Sequence, residues 1–283
     1  MPIVRLAAFA ILLAVLAAVA ALVGRASGLE VEESAGHEMA GQTPHVGAAP
    51  MRTSGNGRSD TASGVRLLLE PATLETGRSR LELAIVNRDG QPIPTLREVH
   101  GEPPLHLILV RRDLSGYQHL HPKPSGGRYV VDLALPLPGI WRAYADFEVD
   151  GEKIVLGRDL FVPGNFAPQP LPAVAVAARS GSYVVELGRQ ELRAGAEATL
   201  RFRIRRAGES VEALQPYLGA AGHLVAIRQD DLTYLHVHPL ESSATGGIGF
   251  AADFAEPGRY ALFLQFKHEG RVQTARFTVE VAR

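Results

Sequence analysis

Apolar and polar residues alternate in short runs from Val65 onward, and turn signals separate these runs. A period of two predicts strands with one buried and one solvent-facing side, and the segments "VRLLLEP" from Val65 and "RLELAIVNRDGQPI" from Arg80 begin the series. Turns are indicated at Asp89-Gly90 and at Pro138-Gly139. About seven such strands precede Pro163, which is typical of a β-sandwich.

The second half of the chain repeats the first. "ATLRFRIRRAGESV" corresponds to "RLELAIVNRDGQPI", and "EPGRYALFLQFKHEG" corresponds to "LPGIWRAYADFEVDG". The sequence therefore predicts an all-β fold of two tandem Ig-like β-sandwich domains. Repeat 1 spans residues 65–163, a Pro-rich and fairly stiff linker spans residues 164–180, and repeat 2 spans residues 181–283. We expect the two domains to be separate folding units.

The N-terminus carries an unbroken apolar run, Leu6 to Val23, directly after Arg5. Its length lies between that of a cleavable signal peptide, about 7–15 residues, and that of a membrane-spanning helix, about 20 residues. Residues 1–27 are therefore predicted to be a signal peptide or a helical signal anchor, and residues 28–64 a flexible, disordered linker. Either interpretation places both repeats outside the cytoplasm, at the cell membrane with single-pass topology or secreted if the segment is cleaved.

Composition removes several classes of function. The 283 residues carry a formal net charge of −1, whereas nucleic-acid binding would favour a basic surface. The chain has no cysteine, which excludes disulfides, thiolate metal sites and cysteine nucleophiles. Neither a Gly-rich phosphate loop nor a G-x-S-x-G nucleophile motif occurs, so nucleotide binding and serine hydrolysis are not indicated.

Histidines form the most repeated feature of the chain. The pattern H-x12-H-x-H-P occurs twice with the same spacing, first as His106, His119 and His121 and then as His223, His236 and His238. Residues two apart on a strand point to the same side, so the last two imidazoles of each copy share a face. A hairpin that turns about Leu114-Ser115 places Ile108 opposite His121 and His106 diagonal to it, and a turn about Asp231-Leu232 brings His223 towards His238.

Three neutral imidazoles with an open position suit copper or zinc. We therefore predict one metal site in each repeat, for copper or alternatively zinc, with His100 and Asp146 as further candidate ligands of the first site. In repeat 2, Gln265 aligns with Asp146 and His268 is an additional histidine. The alternative is that duplicated histidines only share ancestry and pack at strand ends or interfaces.

The segments "PLHLILVRRDLSGYQHLHP", "WRAYADF", "LQPYLGAAGHLVAIRQDDLTYLHVHP" and "YALFLQF" resemble uncharacterised secreted or membrane-anchored bacterial tandem-domain proteins. More remotely, the domains resemble Ig-like modules of the YtkA-like and copper-resistance C types. That resemblance implies a β-sandwich and the handling of copper or another heavy metal. The N-terminal histidine ligand of the copper-resistance pattern is absent, so its particular site does not transfer.

The sequence thus predicts an extracytoplasmic, copper-binding protein for heavy-metal tolerance or delivery, without enzymatic activity. Its partners would be a metal ion, the membrane through the N-terminal helix, and another envelope protein, but no nucleic acid. The alternative is an envelope protein–protein interaction module with structural histidines and no metal. An oxidase-like enzyme is the third hypothesis, and it lacks an obvious acid–base partner near the triplets.

Overall fold

The computed structural model describes residues 52–93, 96, 98, 103–235, 237–240 and 247–283. Within these residues the chain contains only strands, turns and loops. No helix in this described part is long and apolar enough to cross a membrane. The predicted signal anchor, the linker up to Met51, His100 and His236 lie outside the described residues.

Twenty-one strands follow one another along the described chain. They are β1 (Arg52–Ser54), β2 (Thr61–Ala62), β3 (Val65–Glu70), β4 (Gly77–Val86), β5 (Leu105–Arg111), β6 (Gln118–Leu120), β7 (Lys123–Ser125), β8 (Arg128–Leu135), β9 (Gly139–Val149), β10 (Glu152–Val162), β11 (Ala177–Ser180), β12 (Tyr183–Leu187), β13 (Leu192–Arg193), β14 (Glu197–Arg206), β15 (Glu209–Ser210), β16 (His223–Arg228), β17 (Tyr234–Leu235), β18 (Val237–Pro239), β19 (Ile248–Asp253), β20 (Gly258–His268) and β21 (Arg271–Ala282).

Each repeat is a sandwich of two sheets, so the predicted all-β fold with two repeated Ig-like domains is confirmed. Repeat 1 pairs an outer sheet, β2-β3-β4-β8-β7, with an inner sheet, β1-β10-β9-β5-β6. Repeat 2 pairs an outer sheet, β11-β12-β14-β19-β18, with an inner sheet, β13-β21-β20-β16-β17. Apolar residues such as Leu81 and Trp141 fill the first sandwich, and Phe202 and Leu262 fill the second.

A third apolar cluster joins the two inner sheets. Ile108 and Tyr144 of repeat 1 pack there with Val225, Ile227 and other residues of repeat 2. Strands β5 and β16 are therefore buried on both faces, which explains why "HLILV" and "HLVAI" are almost continuously apolar instead of alternating. Residues 49–283 form one compact unit that contains all three clusters, so the structure favours repeats that fold together over the separate folding units expected from the sequence.

Both predicted linkers contribute to this unit. Residues 52–64, assigned from the sequence to the flexible tether, include β1 and β2, and β1 pairs in parallel with β10. Gly57 donates its amide to the carbonyl of Val155, and a Cβ at Gly157 would collide with the Gly57 carbonyl, so this close approach requires glycine. The Pro-rich segment is also docked, since Gln169 donates its amide to Asp113 in a turn of repeat 1.

Candidate metal centre

The strand pattern directs one histidine of each repeat into the space between the inner sheets. On β5, Leu107 and Leu109 face the core of repeat 1, whereas Ile108 and Val110 face repeat 2. His106 has the same parity as Ile108 and therefore also faces repeat 2. On β16, His223 shares its side with Val225 in the same way. The first histidine of each copy thus reaches the interface between repeats.

The hairpin of repeat 1 differs by two residues from the predicted register. Ile108 pairs with His119, where the sequence predicted His121. The turn forms one residue earlier because the Asp113 carboxylate accepts the Ser115 amide and Leu114 adopts a positive φ of 62°. His121 directly follows β6. If the observed register continues by one position, His121 lies across from His106.

The hairpin of repeat 2 has the same shift, with Ala226 opposite Leu235. Its second strand then leaves the inner sheet, and Val237 and His238 pair with β19 in the outer sheet. His238 is solvent-exposed there, on the face opposite to the interface. The prediction of a regular hairpin that joins His223 with His238 is therefore wrong. The described residues of repeat 2 do not assemble the site predicted for that repeat.

Four imidazoles converge at the interface instead. The ring nitrogens that His106, His119 and His121 can offer to a metal all lie within 4.8 Å of one another. His223 of repeat 2 joins them, with its ring centroid 4.5 Å from that of His119 and 5.8 Å from that of His106. Three ligands of the first predicted site are thus brought together, and one histidine of the second triplet completes the group.

Gln265 orients the central imidazole. Its Oε1 lies 2.7 Å from His119 Nδ1 and, as a carbonyl oxygen, can only accept, so His119 carries its proton on Nδ1. His119 Nε2 is then the acceptor facing His106 Nδ1 at 2.8 Å. Gln265 pairs opposite His223 on β20, as Asp146 pairs opposite His106 on β9. Asp146 and Gln265, which occupy equivalent positions in the two repeats, therefore lie next to the same cluster from opposite sides.

The three imidazoles that repeat 1 contributes are neutral at physiological pH. Burial lowers the pKa of His106 to about 4, with a smaller opposing effect of the Asp146 carboxylate. Burial and the neighbouring imidazoles, His223 first, hold the pKa of His119 well below its usual range. Burial also lowers the pKa of His121. Neutral imidazoles present their lone pairs, which is the form that binds metal.

The donor set fits a borderline-soft divalent or monovalent cation. Imidazole nitrogens are typical ligands of copper and zinc, and His121 Nε2 is buried without a hydrogen-bond partner among the described residues. A cation would replace the proton shared by His106 and His119. A cleft of about 70 Å³ lies beside the rings, and His106, Asp146, Lys153 and His223 are among the residues that line it.

The sequence predicted one site in each repeat and did not place His223 with the histidines of repeat 1. The available signal was the continuous apolar character of "HLILV" and "HLVAI", which predicts strands buried on both faces and hence a partner surface. It also missed the supporting role of two tyrosines. Tyr117 stacks on Phe263 with ring centroids 4.2 Å apart, and Tyr234 donates a hydrogen bond of 3.3 Å to Asp146 across the interface.

Comparisons with solved structures yield only distant similarities. An α-2-macroglobulin of Salmonella reacted with methylamine is 15% identical over 81% of this chain and 15% of its own, with a TM-score of 0.27. The adhesin FdeC of Escherichia coli is 14% identical over 81% of this chain and 66% of its own, with a TM-score of 0.25. The adhesin InvE of Yersinia pseudotuberculosis is 12% identical over 76% of this chain and 58% of its own, with a TM-score of 0.23. No function is transferred at these scores.

No curated protein matches the chain. A family of protein domains does match it, over residues 60–162 and again over residues 177–283. These two stretches follow the two sandwiches, and neither a YtkA-like nor a copper-resistance family is shown. Because the matches cover most of the sequence, the chain belongs to the family described as Domain of unknown function (DUF8832), and it contains that domain twice.

Proposed function

We propose that this protein is an extracytoplasmic binding module whose two repeats jointly hold one transition-metal ion, copper or zinc. The observation that supports the proposal is the convergence of the candidate ligand atoms of His106, His119 and His121 within 4.8 Å, with the ring of His223 centred 4.5 Å from that of His119. The proposed role is binding rather than catalysis, in tolerance to or delivery of the metal.

Two features of the site agree with this proposal. Gln265 accepts a hydrogen bond from His119, and such an outer partner fixes the tautomer of a ligating histidine. Asp146 lies opposite His106 and brings a negative charge near the cluster. We propose Asp146 as a supporting group rather than as a ligand, because Tyr234 donates a hydrogen bond to its Oδ2.

The second candidate function is an envelope interaction module in which the histidines only pack the interface. It requires no more than the tandem Ig-like fold, whereas the metal proposal also requires the imidazoles to be ligands. The apolar contact between the inner sheets supports it, because a rigid pair of domains can present surfaces at a fixed spacing to another protein. Both functions share the proposed extracytoplasmic location, which a reporter fused after Arg283 tests.

Metal analysis of residues 49–283, purified without a histidine tag, separates the two candidates. The metal proposal expects one ion per chain, which is lost in His121→Ala and bound more weakly in His223→Ala. His268→Ala is the matched control, because His268 hydrogen-bonds Tyr183 and is not part of the cluster. Binding no tighter than roughly micromolar, about −8 kcal/mol, in the wild type would favour the interaction module. Two ions per chain, with one retained in His121→Ala, would instead support one independent metal site in each repeat.

A further inference from the structure

The outer face of repeat 2 carries a stripe of unneutralised arginines. Arg201, Arg203 and Arg205 alternate along β14, point away from the core and are exposed. Arg179 on β11 belongs to the same face, because Val184 on β12 pairs with both Arg179 and Arg205. None of the four forms an ion pair among the described residues, and we name them the arginine face.

Two acidic residues flank the stripe. Glu186 pairs with Arg203, and Glu212 follows Val211, which bonds Ile204 on the other edge of β14, so four positive charges meet two negative charges on this part of the sheet. Glu197 and Asp253 pair with each other at the start of β14, and Thr199 separates them from Arg201 along the strand. The face is therefore locally positive although the whole chain has a net charge of −1.

The fold itself does not require these arginines. The pairings of the two sandwiches make Leu81 equivalent to Leu200 and Leu83 equivalent to Phe202. The structural alignment of β14 with β4 is thus shifted by one residue relative to the alignment of the two sequence segments. The three arginine positions of β14 are occupied in repeat 1 by the exposed Glu82 and by Ala84 and Val86, which are buried there. The duplication has kept the core positions apolar while its outward positions differ.

An exposed leucine adjoins the stripe. The Leu240 amide donates to the Gly249 carbonyl, and Gly249 pairs with Arg201, so Leu240 lies in the same row two strands away. Its side chain is 38% exposed. Alternate residues of a strand are about 7 Å apart, so the arginines of β14 form a row of positive charges with an apolar residue at its border. Such a row suits phosphate groups that lie above hydrocarbon.

We propose that the arginine face docks on the anionic headgroups of a phospholipid membrane. Each basic residue near such a surface strengthens binding, and several acting together give a salt-sensitive, reversible attachment. The inference rests on the extracytoplasmic location proposed above and is independent of the metal site. Metal binding and membrane docking are measured separately on residues 49–283, so either proposal can fail while the other holds.

Flotation of residues 49–283 with lipid vesicles tests this inference. The wild type is expected to float with phosphatidylcholine vesicles that contain phosphatidylglycerol, and to be released by raised salt. The triple variant Arg201→Gln, Arg203→Gln, Arg205→Gln should bind about tenfold more weakly or worse. The matched control is Arg66→Gln, Arg78→Gln, Arg80→Gln, which removes the same charge from exposed positions of repeat 1 and should bind like the wild type.

Three outcomes would overturn the docking proposal. Equal binding with and without phosphatidylglycerol would remove the electrostatic basis. An equal loss in both triple variants, with unchanged melting temperatures, would show that net charge and not this face matters. Binding to polyglutamate without binding to vesicles would assign the face to an acidic protein partner.

Discussion

His119 of repeat 1 and Gln265 of repeat 2 are hydrogen-bonded at 2.7 Å, although 146 positions separate them in the chain. The bond orients the ring at the centre of the imidazole cluster and crosses the interface between the two sandwiches. Gln265 is buried and also contacts Thr274 on the next strand, which holds its amide in place. The orientation of an imidazole in the first repeat therefore depends on a side chain of the second.

Replacement of Gln265 should weaken metal binding without removing the site. In Gln265→Leu the imidazoles remain, but the tautomer of His119 is no longer fixed, so we expect affinity to fall by about 10–100-fold with unchanged stoichiometry. Competition titration with a chelator measures this. Gln190→Leu is the control, because exposed Gln190 lies outside the cluster and donates to the Thr199 carbonyl. Equal affinities in the two variants would contradict the role given to Gln265.

The free energy of unfolding should fall below pH 6.5 because of His106. Its pKa drops from 6.5 in the unfolded chain to about 4 in the folded protein. Between these values only the unfolded state takes up the proton, which costs on the order of 3 kcal/mol in total by pH 4. Above pH 6.5 the residue is neutral in both states and contributes no slope.

Urea unfolding of metal-free protein at a series of pH values tests this dependence. His106→Gln should flatten the acid limb relative to the wild type, and His268→Gln, which removes a histidine outside the cluster, is the matched control. A wild-type curve parallel to that of His106→Gln between pH 6.5 and 4 would show that burial does not lower the pKa of this imidazole.

The two repeats should unfold together. Ile108 is 0% exposed in the cluster between the inner sheets, so Ile108→Ala should destabilise the whole unit by about 2–4 kcal/mol while keeping one transition. Val272→Ala, at a position that is 43% exposed, should change stability by less than about 0.5 kcal/mol. Two separate transitions in the wild type, seen by calorimetry, would mean that the interface does not couple the repeats.

The buried pair Arg111–Asp113 should be important for stability. Arg111 is 1% exposed, bonds Asp113 and donates to the carbonyls of Pro138 and Ala167. Burial opposes ionisation of Asp113, but hydrogen bonds from Arg111, Gln169 and Ser115 lower its pKa to about 2.

Asp113→Asn would leave this buried guanidinium without its charge partner, and we expect a loss of about 3–5 kcal/mol. Arg112→Ala, which removes a half-exposed neighbour 3.9 Å from Asp159, is the matched control and should cost less than about 1 kcal/mol. Thermal melts compare the two. Similar melting temperatures would show that the pair is not a stabilising element.

The local sequence pattern was sufficient to predict the strands, to recognise the duplication and to identify the candidate histidines. Period-two alternation depends only on neighbouring residues, as in β3 with its buried Leu67 and Leu69. The recurring H-x-H spacing likewise placed His119 and His121 in one segment, and they do lie together. Such features need no knowledge of distant contacts, and the sequence by itself determined them.

Tertiary structure decided the register, the strand change and the shared site. Whether a turn forms at Leu114 or one residue later depends on hydrogen bonds of Asp113 that alternation does not encode. The departure of His238 to the outer sheet depends on pairing with Ala251. The meeting of His223 with the first triplet depends on apolar burial between whole sheets, a non-directional force that only the packed repeats reveal.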